Sequence, residues 1–181
     1  MKHLFLLLFA FSVLGQSPKE KIQVTDLLKI KTAGKPLVSP KGNQFVYTLT
    51  SIVDDPDKKN DFVYQTHLYL GNLLTGESRA LTSGKYSITS PVWSPDGSKI
   101  AFTRDMGAKS QVYVLDLSGG EPQAITSVPF AASNPIWSAD GKGIYFQSSF
   151  TLKEFLADSV YNKKGMIPSW TMEKPYAFRD F

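Results

Sequence analysis

Cysteine is absent from the 181-residue sequence. The chain can therefore form no disulfide, even in an oxidising compartment, and can bind no metal through thiolates. A lipid anchor attached to a cysteine near the start is excluded for the same reason.

Histidine is nearly as scarce, because His3 and His67 are the two copies. His3 lies in an apolar leader, and the repeat pattern predicts His67 at the start of a strand. No Gly-x-Ser-x-Gly motif occurs, so these residues cannot assemble a serine triad. There is also no glycine-rich phosphate loop and no histidine cluster with metal-ligand spacing. We therefore predict no catalytic, cofactor-binding or metal-binding residue in this sequence, and no cofactor.

A strongly one-sided charge is also missing, since 20 basic residues face 16 acidic ones. The lysines are scattered and no basic stripe is interleaved with aromatic residues, the pattern that single strands of nucleic acid require. Nucleic acid is therefore not an expected partner.

The segment 1–15 has the pattern of a secretory signal peptide. Lys2 and His3 precede an apolar run from Leu4 to Leu14, and Gly15 follows it. The run is too short to span a bilayer. We predict a signal peptide over 1–15, export to the periplasm or the extracellular space, and no membrane association once the signal is removed.

The chain contains an internal repeat with an offset of 44. Residues 67–104 superpose on 111–148 without a gap and share 14 identities, including Trp93 with Trp137 and Asp96 with Asp140. A weaker copy begins at Pro36, at an offset of 55 from Pro91, and the polar segment 54–61 accounts for the larger offset. Repeats of this length, rich in β-branched residues and turns, are typical of propeller blades.

The repeat predicts an all-β fold, a partial β-propeller of about three four-stranded blades. We place a lead-in at 16–35 and blades over 36–150, divided as 36–82, 90–126 and an incomplete 134–150. In the middle blade the predicted strands are 91–93, 99–104, 111–117 and 123–125, with a Ser-Pro-Asp-Gly turn at 94–97. In the lead-in, we expect a short helical turn over 25–30, capped by Thr25, with Asp26 at its positive end and a packing role.

Recurrent side chains of the repeat have structural interpretations beside functional ones. Trp93 and Trp137 are interpreted as wedges between neighbouring blades, although a tryptophan can also stack on a ligand. Asp96 and Asp140 each precede one glycine and lack the alternating carboxylates of a calcium loop, so a hydrogen-bonded turn is expected. The segment 55–57 is interpreted as a solvated loop.

The blade pattern stops after residue 150. Thr151 and Glu154 form a capping-box pattern, and four apolar residues share one helical face: Leu152, Phe155, Leu156 and Val160. We predict a helix over 152–163 that interrupts the propeller within a segment 151–181. The aromatic-rich segment that follows has no closing signal, so we expect the chain to be cut after Phe181.

The motifs resemble those of known families. The stretches starting at Trp93 and Trp137 resemble the WD40-like repeat of TolB-type propellers. The order Asp26-Leu-Leu, Pro36-Leu-Val-Ser-Pro-Lys-Gly, His67-Leu-Tyr-Leu and Ala80-Leu-Thr resembles the amino-terminal start of the prolyl oligopeptidase family, in its acylaminoacyl-peptidase and dipeptidyl-peptidase branch. Lys41, Val38 and the segment 151–165 depart from the pattern. The resemblance covers residues 25–150.

That resemblance implies a non-catalytic propeller that screens peptides on their way to a carboxyl-terminal α/β-hydrolase domain, which would carry the Ser-Asp-His site of a serine peptidase. The expected partners are peptide substrates and that hydrolase domain. Two alternatives stay open, because a fold does not determine a function. One is a TolB-like periplasmic binding propeller without enzymatic activity, and the other is a propeller whose own loops act on polysaccharides.

Overall fold

The structure is a computed structural model, and it describes residues 21–107, 109–149 and 151. The predicted signal peptide at 1–15 and the predicted helix at 152–163 lie outside the described residues, as does most of the segment 151–181. Within the described part, no helix has the length and apolar character needed to cross a membrane.

The described residues form three antiparallel β-sheets, preceded by a 3-10 helix at Val24–Lys29. Their strands are β1 (Lys31–Ala33), β2 (Leu37–Val38), β3 (Gln44–Asp54), β4 (Phe62–Asn72), β5 (Ser78–Ala80), β6 (Ile88–Trp93), β7 (Lys99–Asp105), β8 (Ser110–Asp116), β9 (Gln123–Ala124), β10 (Ala131–Trp137) and β11 (Ile144–Ser149). The predicted all-β fold and partial propeller are confirmed.

Blade 2 is the sheet β6-β7-β8-β9, in which each strand pairs with the next one along the chain. The four strands predicted from the repeat differ from the observed ones by three residues at most. In such a meander the loops alternate between the two ends of the blade. We call the end that holds the β6-β7 turn the turn end, and the end that holds the β7-β8 loop the arm end.

Blade 1 contains β1 to β5 and is longer than blade 2. Its strands β3 and β4 have 11 residues each, whereas β7 and β8 have 7. The connecting loop (55–61) is also longer than its counterpart (106–109). These differences account for the larger offset of the first repeat. We call the protruding hairpin, residues 51–65, the arm.

The innermost strand of each blade is interrupted just before a proline. The register shifts between Thr89 and Val92 in β6, and at the equivalent place in β10. The residues before the two prolines, Ser90 and Asn134, both have a φ of 51°. Proline has no N–H to donate, and a bulge places it where the ladder needs none. In blade 1 the residues 34–36 separate β1 from β2 at the same position.

Two apolar clusters fill the spaces between the blades. Val46, Leu68 and Leu70 of blade 1 pack against Ile88, Ile100, Phe102 and Leu115 of blade 2. Ala101 and Val112 of blade 2 pack against Ala132, Ile144 and Phe146 of blade 3. Strand β7 is thus buried on both faces, because its alternate residues enter different clusters. Blade 3 contributes β10 and β11 to the described residues.

The lead-in helix differs from the prediction. Gln23, and not Thr25, occupies the cap, and its backbone N–H donates to Asp26 Oδ2 at 2.7 Å. Asp26 does lie in the first turn, and its pKa is lowered mainly by a hydrogen bond from Lys29. The helix lies against β3, but none of its residues is buried, so its packing role is limited to contact at the surface.

Candidate interaction surface

Trp93 and Trp137 connect each blade to the one before it. The indole N–H of Trp93 donates to the carbonyl of Leu37 in blade 1 at 2.9 Å, and that of Trp137 donates to the carbonyl of Val92 in blade 2 at 3.4 Å. Both rings pack against the inter-blade clusters. The interpretation of these residues as wedges is confirmed, with a hydrogen bond that the sequence did not indicate.

The Asp-Gly turns form the turn end. Asp96 accepts hydrogen bonds from the hydroxyl of Ser94 (2.6 Å) and from the hydroxyl and backbone N–H of Ser98 (2.6 and 3.1 Å). These bonds, led by that of Ser94, hold the pKa of Asp96 well below its usual value. Gly97 has a φ of 65°, a conformation that favours glycine.

The second turn repeats this arrangement. Asp140 accepts from the hydroxyl of Ser138 at 2.6 Å and from the backbone N–H of Lys142 at 3.1 Å, and the same bonds lower its pKa. The expected hydrogen-bonded turns are confirmed. No group of three histidine or acidic side chains among the described residues is arranged to hold a metal ion.

His67 lies in the middle of β4, opposite Leu49, and not at a strand start as the sequence predicted. The error arose because β4 begins four residues earlier than its counterpart β8. The Nδ1 atom of His67 and the Nε atom of Arg104 are buried without a hydrogen-bond partner among the described residues. Burial, followed by the charge of Arg104, lowers the pKa of His67.

The arm presents an exposed apolar face at the arm end. Ile52 lies opposite Tyr64, and Asp54 opposite Phe62, so these four side chains share one face. Phe62 and Tyr64 are 48% and 73% exposed. Two aromatic rings are therefore exposed to solvent on this pair of strands.

The sequence indicated how many residues the first copy adds, but not their structure. The segment 54–61 was interpreted as a polar insertion, whereas the strands on both sides of it continue into the arm. The run Phe62-Val63-Tyr64, three residues of high β-propensity, was the signal that could have revealed a longer strand.

The apolar face of the arm is exposed because the neighbouring blade is too short to cover it. Residues two apart in a strand share a face, so Ile52 and Tyr64 continue the face whose Val46 and Leu68 pack against blade 2. Strands β7 and β8 end at the level where the arm begins. The arm therefore extends an inter-blade contact face beyond the reach of its partner.

The arm is held at its tip and at its base. Asp57 in its loop forms an ion pair with Lys85 at 2.6 Å, and this hydrogen bond raises the pKa of Lys85. At the base, Ser87 Oγ accepts from the backbone N–H of Thr66 at 3.1 Å and donates to the carbonyl of Tyr64 at 3.4 Å. The connector between blades 1 and 2 thus runs beside the arm and fixes its direction.

Further exposed apolar groups lie at the same end. Tyr86 in the connector and Met106 in the β7-β8 loop are 37% and 38% exposed. The described chain also leaves its last strand, β11, at this end, at Ser149. Large exposed apolar patches mark interaction sites. The arrangement is suited to binding an apolar partner.

The repeated sheets and their radial contacts define the molecule as part of a β-propeller. Residues 36–153 match the profile of the TolB beta propeller domain. The chain belongs to this family.

Three similar proteins extend the comparison. The uncharacterized peptidase YuxL of Bacillus subtilis (strain 168) is 30% identical over 87 residues, which are 48% of this chain and 12% of that protein. An acylaminoacyl peptidase of Pyrococcus horikoshii matches with a TM-score of 0.53 and 22% identity, over 68% of this chain and 18% of that one. The β-propeller domain of the Trilobed protease from Pyrococcus furiosus, described as having an open velcro topology, matches with a TM-score of 0.50 and 24% identity over 66% and 35%.

The predicted TolB-type propeller is confirmed by the family match, and part of the chain is similar to a stretch of a protein named as a peptidase. The chain spans about one eighth of the length of the curated peptidase that it matches.

Proposed function

We propose that this chain is the non-catalytic propeller portion of an exported serine peptidase of the prolyl oligopeptidase family. Its blades screen peptides by size before they reach an α/β-hydrolase domain in the carboxyl-terminal part of the parent protein. The observation that carries the proposal is the match between these blades and part of a protein named as a peptidase. In such a parent the chemistry is acyl transfer through an activated serine outside these residues.

The inner wall of the described blades is suited to contact with a polypeptide. In a propeller the innermost strands surround the central channel. Here the side chains of Ser90 and Asn134 on β6 and β10 meet at 2.8 Å, and Asn134 also donates to Gln147 Oε1 at 2.8 Å. Strands β6 and β10 carry no charged side chain, whereas β1 and the segment before β2 carry Lys31 and Lys35. A polar and weakly cationic wall can exchange hydrogen bonds with peptide groups without selecting a sequence.

The test uses the full-length product of the gene. A fluorophosphonate probe that reacts with activated serines should label it outside residues 1–181, and peptides should be cleaved faster as they become shorter. An unlabelled product would overturn the peptidase assignment. Equal cleavage of short peptides and unfolded proteins would overturn size screening alone. Mass spectrometry of the secreted product should find an amino terminus near residue 16 if the signal peptide is removed.

A binding propeller without enzymatic activity is the second candidate, and the exposed rings of Phe62 and Tyr64 favour it. In that case the full-length product is not labelled, and it retains a protein partner that is lost when both rings are replaced by serine.

A further inference from the structure

One position of the innermost strands carries a polar side chain just before a proline in all three blades. The residues are Lys35, Ser90 and Asn134, separated by the offsets of the repeat. The strand is interrupted there in each blade, because β1 ends at Ala33 before β2 begins at Leu37, and the register of β6 and of β10 shifts. Such interruptions re-aim side chains and are frequent beside functional sites. The three side chains therefore share one level of the inner wall.

The two described junctions between blades hold their innermost strands in the same relative position. The indole of Trp93 donates to the carbonyl of Leu37 in blade 1. The indole of Trp137 donates to the carbonyl of Val92 in blade 2, which is the residue equivalent to Leu37. Equivalent residues of neighbouring blades thus have the same spatial relation in both junctions.

Ser90 and Asn134 are in direct contact, and Lys35 continues their row. The hydroxyl of Ser90 donates to Asn134 Oδ1 at 2.8 Å. Because the two junctions are equivalent, Lys35 is the neighbour of Ser90 on the side of blade 1. Lys35 is exposed, and it forms no ion pair or hydrogen bond with the described residues. Its ammonium group is therefore available to a ligand.

The hydrogen bonds within this row leave donors unused. Asn134 Nδ2 donates one of its two N–H groups to Gln147 Oε1 at 2.8 Å, while its Oδ1 accepts from Ser90. The second N–H of Asn134 has no partner among the described residues. The backbone N–H of Asn134 donates to Thr103 Oγ1 at 3.1 Å and holds the residue against blade 2. A ligand rich in hydrogen-bond acceptors therefore suits this row.

Ser90 and Asn134 also have an uncommon backbone conformation. Both have a φ of 51°, in the left-handed region that residues other than glycine rarely adopt. Such conformations cost free energy, and they cluster at sites that bind ligands. The strain recurs at the same level of two blades, so it belongs to the wall and not to one irregular loop.

The charge of the wall determines the kind of acceptor. Neither the innermost strands β1, β2, β6 and β10 nor the segment 34–36 contains an acidic residue. A carboxylate at this level is therefore not repelled, and ammonium and amide N–H groups are donors that bind carboxylates. Every unmodified peptide has a terminal carboxylate, so a site for this group does not select a side-chain sequence.

We propose that Lys35, Ser90 and Asn134 form a binding site for a peptide carboxylate on the channel wall. Lys35 supplies the positive charge, and Asn134 donates a hydrogen bond through its second amide N–H. Ser90 orients that amide by its bond to Oδ1. The inference deepens the proposed function and rests on it for the ligand, a peptide in the channel, but it requires no cleavage of that peptide.

The test measures binding and not turnover. The full-length product is treated with the fluorophosphonate probe, and its binding to a fluorescein-labelled peptide of uncharged sequence is followed by fluorescence anisotropy. At low ionic strength the free-acid peptide should bind about tenfold more tightly than the same peptide with an amidated terminus. A second pair, amidated peptides with an internal Glu or Gln, distinguishes a side-chain carboxylate from a terminal one. A difference in either pair supports the site, and no difference in both overturns it, whether or not the probe labels a serine.

Substitutions locate the binding on the wall. Lys35→Ala should weaken binding of the free-acid peptide about fivefold to tenfold and leave the amidated peptide unchanged. The matched control Lys31→Ala removes another exposed lysine from the same wall and should change the affinity less than about twofold. Asn134→Asp is close in shape, tolerates a positive φ and adds a negative charge, so it should weaken binding about tenfold or more. Equal effects of Lys35→Ala and Lys31→Ala, or full binding by Asn134→Asp, would overturn the proposal.

Discussion

The junction between blades 1 and 2 and the junction between blades 2 and 3 occupy equivalent positions in the repeat, but different groups hold them. The first contains seven buried apolar residues, among them Phe102, Leu68 and Ile100. The second contains five, of which Ala101 and Ala132 are small. One pair of equivalent side chains, His67 and Gln111, shows the opposite trend in its hydrogen bonds.

Gln111 occupies in blade 2 the position that His67 occupies in blade 1. Its side-chain amide donates to the carbonyls of Val128 and Phe130, both at 3.1 Å, and its Oε1 accepts from the hydroxyl of Thr126 at 2.7 Å. His67 Nδ1 has no such partner among the described residues. At this pair of equivalent positions, the side chain in the second junction forms hydrogen bonds to the connector, whereas Nδ1 of the one in the first junction forms none among the described residues.

The largest expected effect comes from Phe102→Ala in the first junction. The ring is fully buried, so its removal leaves a cavity and should lower the free energy of unfolding by about 3–5 kcal/mol. Chemical denaturation followed by tryptophan fluorescence measures it. Tyr145→Ala, at an exposed position of blade 3, is the control and should change stability by about 0.5 kcal/mol or less. Equal losses in both variants would contradict the role of the buried Phe102 ring in the first junction.

The second prediction concerns the polar side of the comparison. Gln111→Ala deprives Thr126 and two carbonyls of their partner and should reduce stability by about 1–3 kcal/mol. His67→Ala in the first junction should reduce it by less, because no hydrogen bond to Nδ1 is lost. The same denaturation experiment compares them, and a larger loss in His67→Ala would show that our assignment of forces is wrong.

The tryptophan contacts should differ more modestly. Trp93→Phe removes an N–H that donates at 2.9 Å, and we expect a loss of about 1–2 kcal/mol. Trp137→Phe removes a longer bond of 3.4 Å and should have a smaller effect. Thermal unfolding of both variants beside the unmodified chain tests the order of the two effects. A lower midpoint for Trp137→Phe than for Trp93→Phe would refute it.

The smallest effect is a pH dependence confined to the first junction. Burial and Arg104 lower the pKa of His67 below its ordinary value of about 6.5, so the unfolded chain binds this proton more readily than the folded one. Above pH 6.5 the ring is neutral in both the folded and the unfolded chain, and its contribution to the free energy of unfolding is greatest. As the pH falls through and below that value, the unfolded chain takes up the proton first and this contribution is lost. His67→Gln introduces the residue type of the second junction and should make the denaturation midpoint less dependent on pH over this range. An unchanged slope in His67→Gln would assign the titration to another group.

The regular parts of the fold could be predicted because the repeat specifies them twice. Trp93 and Trp137 mark the end of an innermost strand in each copy, and the 94–97 turn determines where β7 begins. The position of the strands followed from one offset. The same offset also predicted which aspartates close turns, because Asp96 and Asp140 lie between a serine and a glycine in both copies.

The irregular parts could not be predicted, for identifiable physical reasons. The larger offset of the first copy shows that residues are added, but it does not show that strands rather than a loop absorb them. The three β-favouring residues at 62–64 support strand pairing, but they directly follow the charged segment 54–61, which is typical of a loop. The cap of the lead-in helix was misplaced because Thr25 is a better cap by composition, whereas a hydrogen bond between Gln23 and Asp26 determines the start.

The direction of the tryptophan contacts has a consequence for synthesis. Trp93 and Trp137 each donate to a carbonyl that lies 56 or 45 residues earlier in the chain. During translation the acceptor therefore leaves the ribosome before its donor. Each new blade can then pack against the blade that was synthesised before it. In blade 1 the equivalent residue is Val38, which has no such group and is 58% exposed. The blades can thus be added in the order in which they are made, with each indole bonding to the blade completed before it.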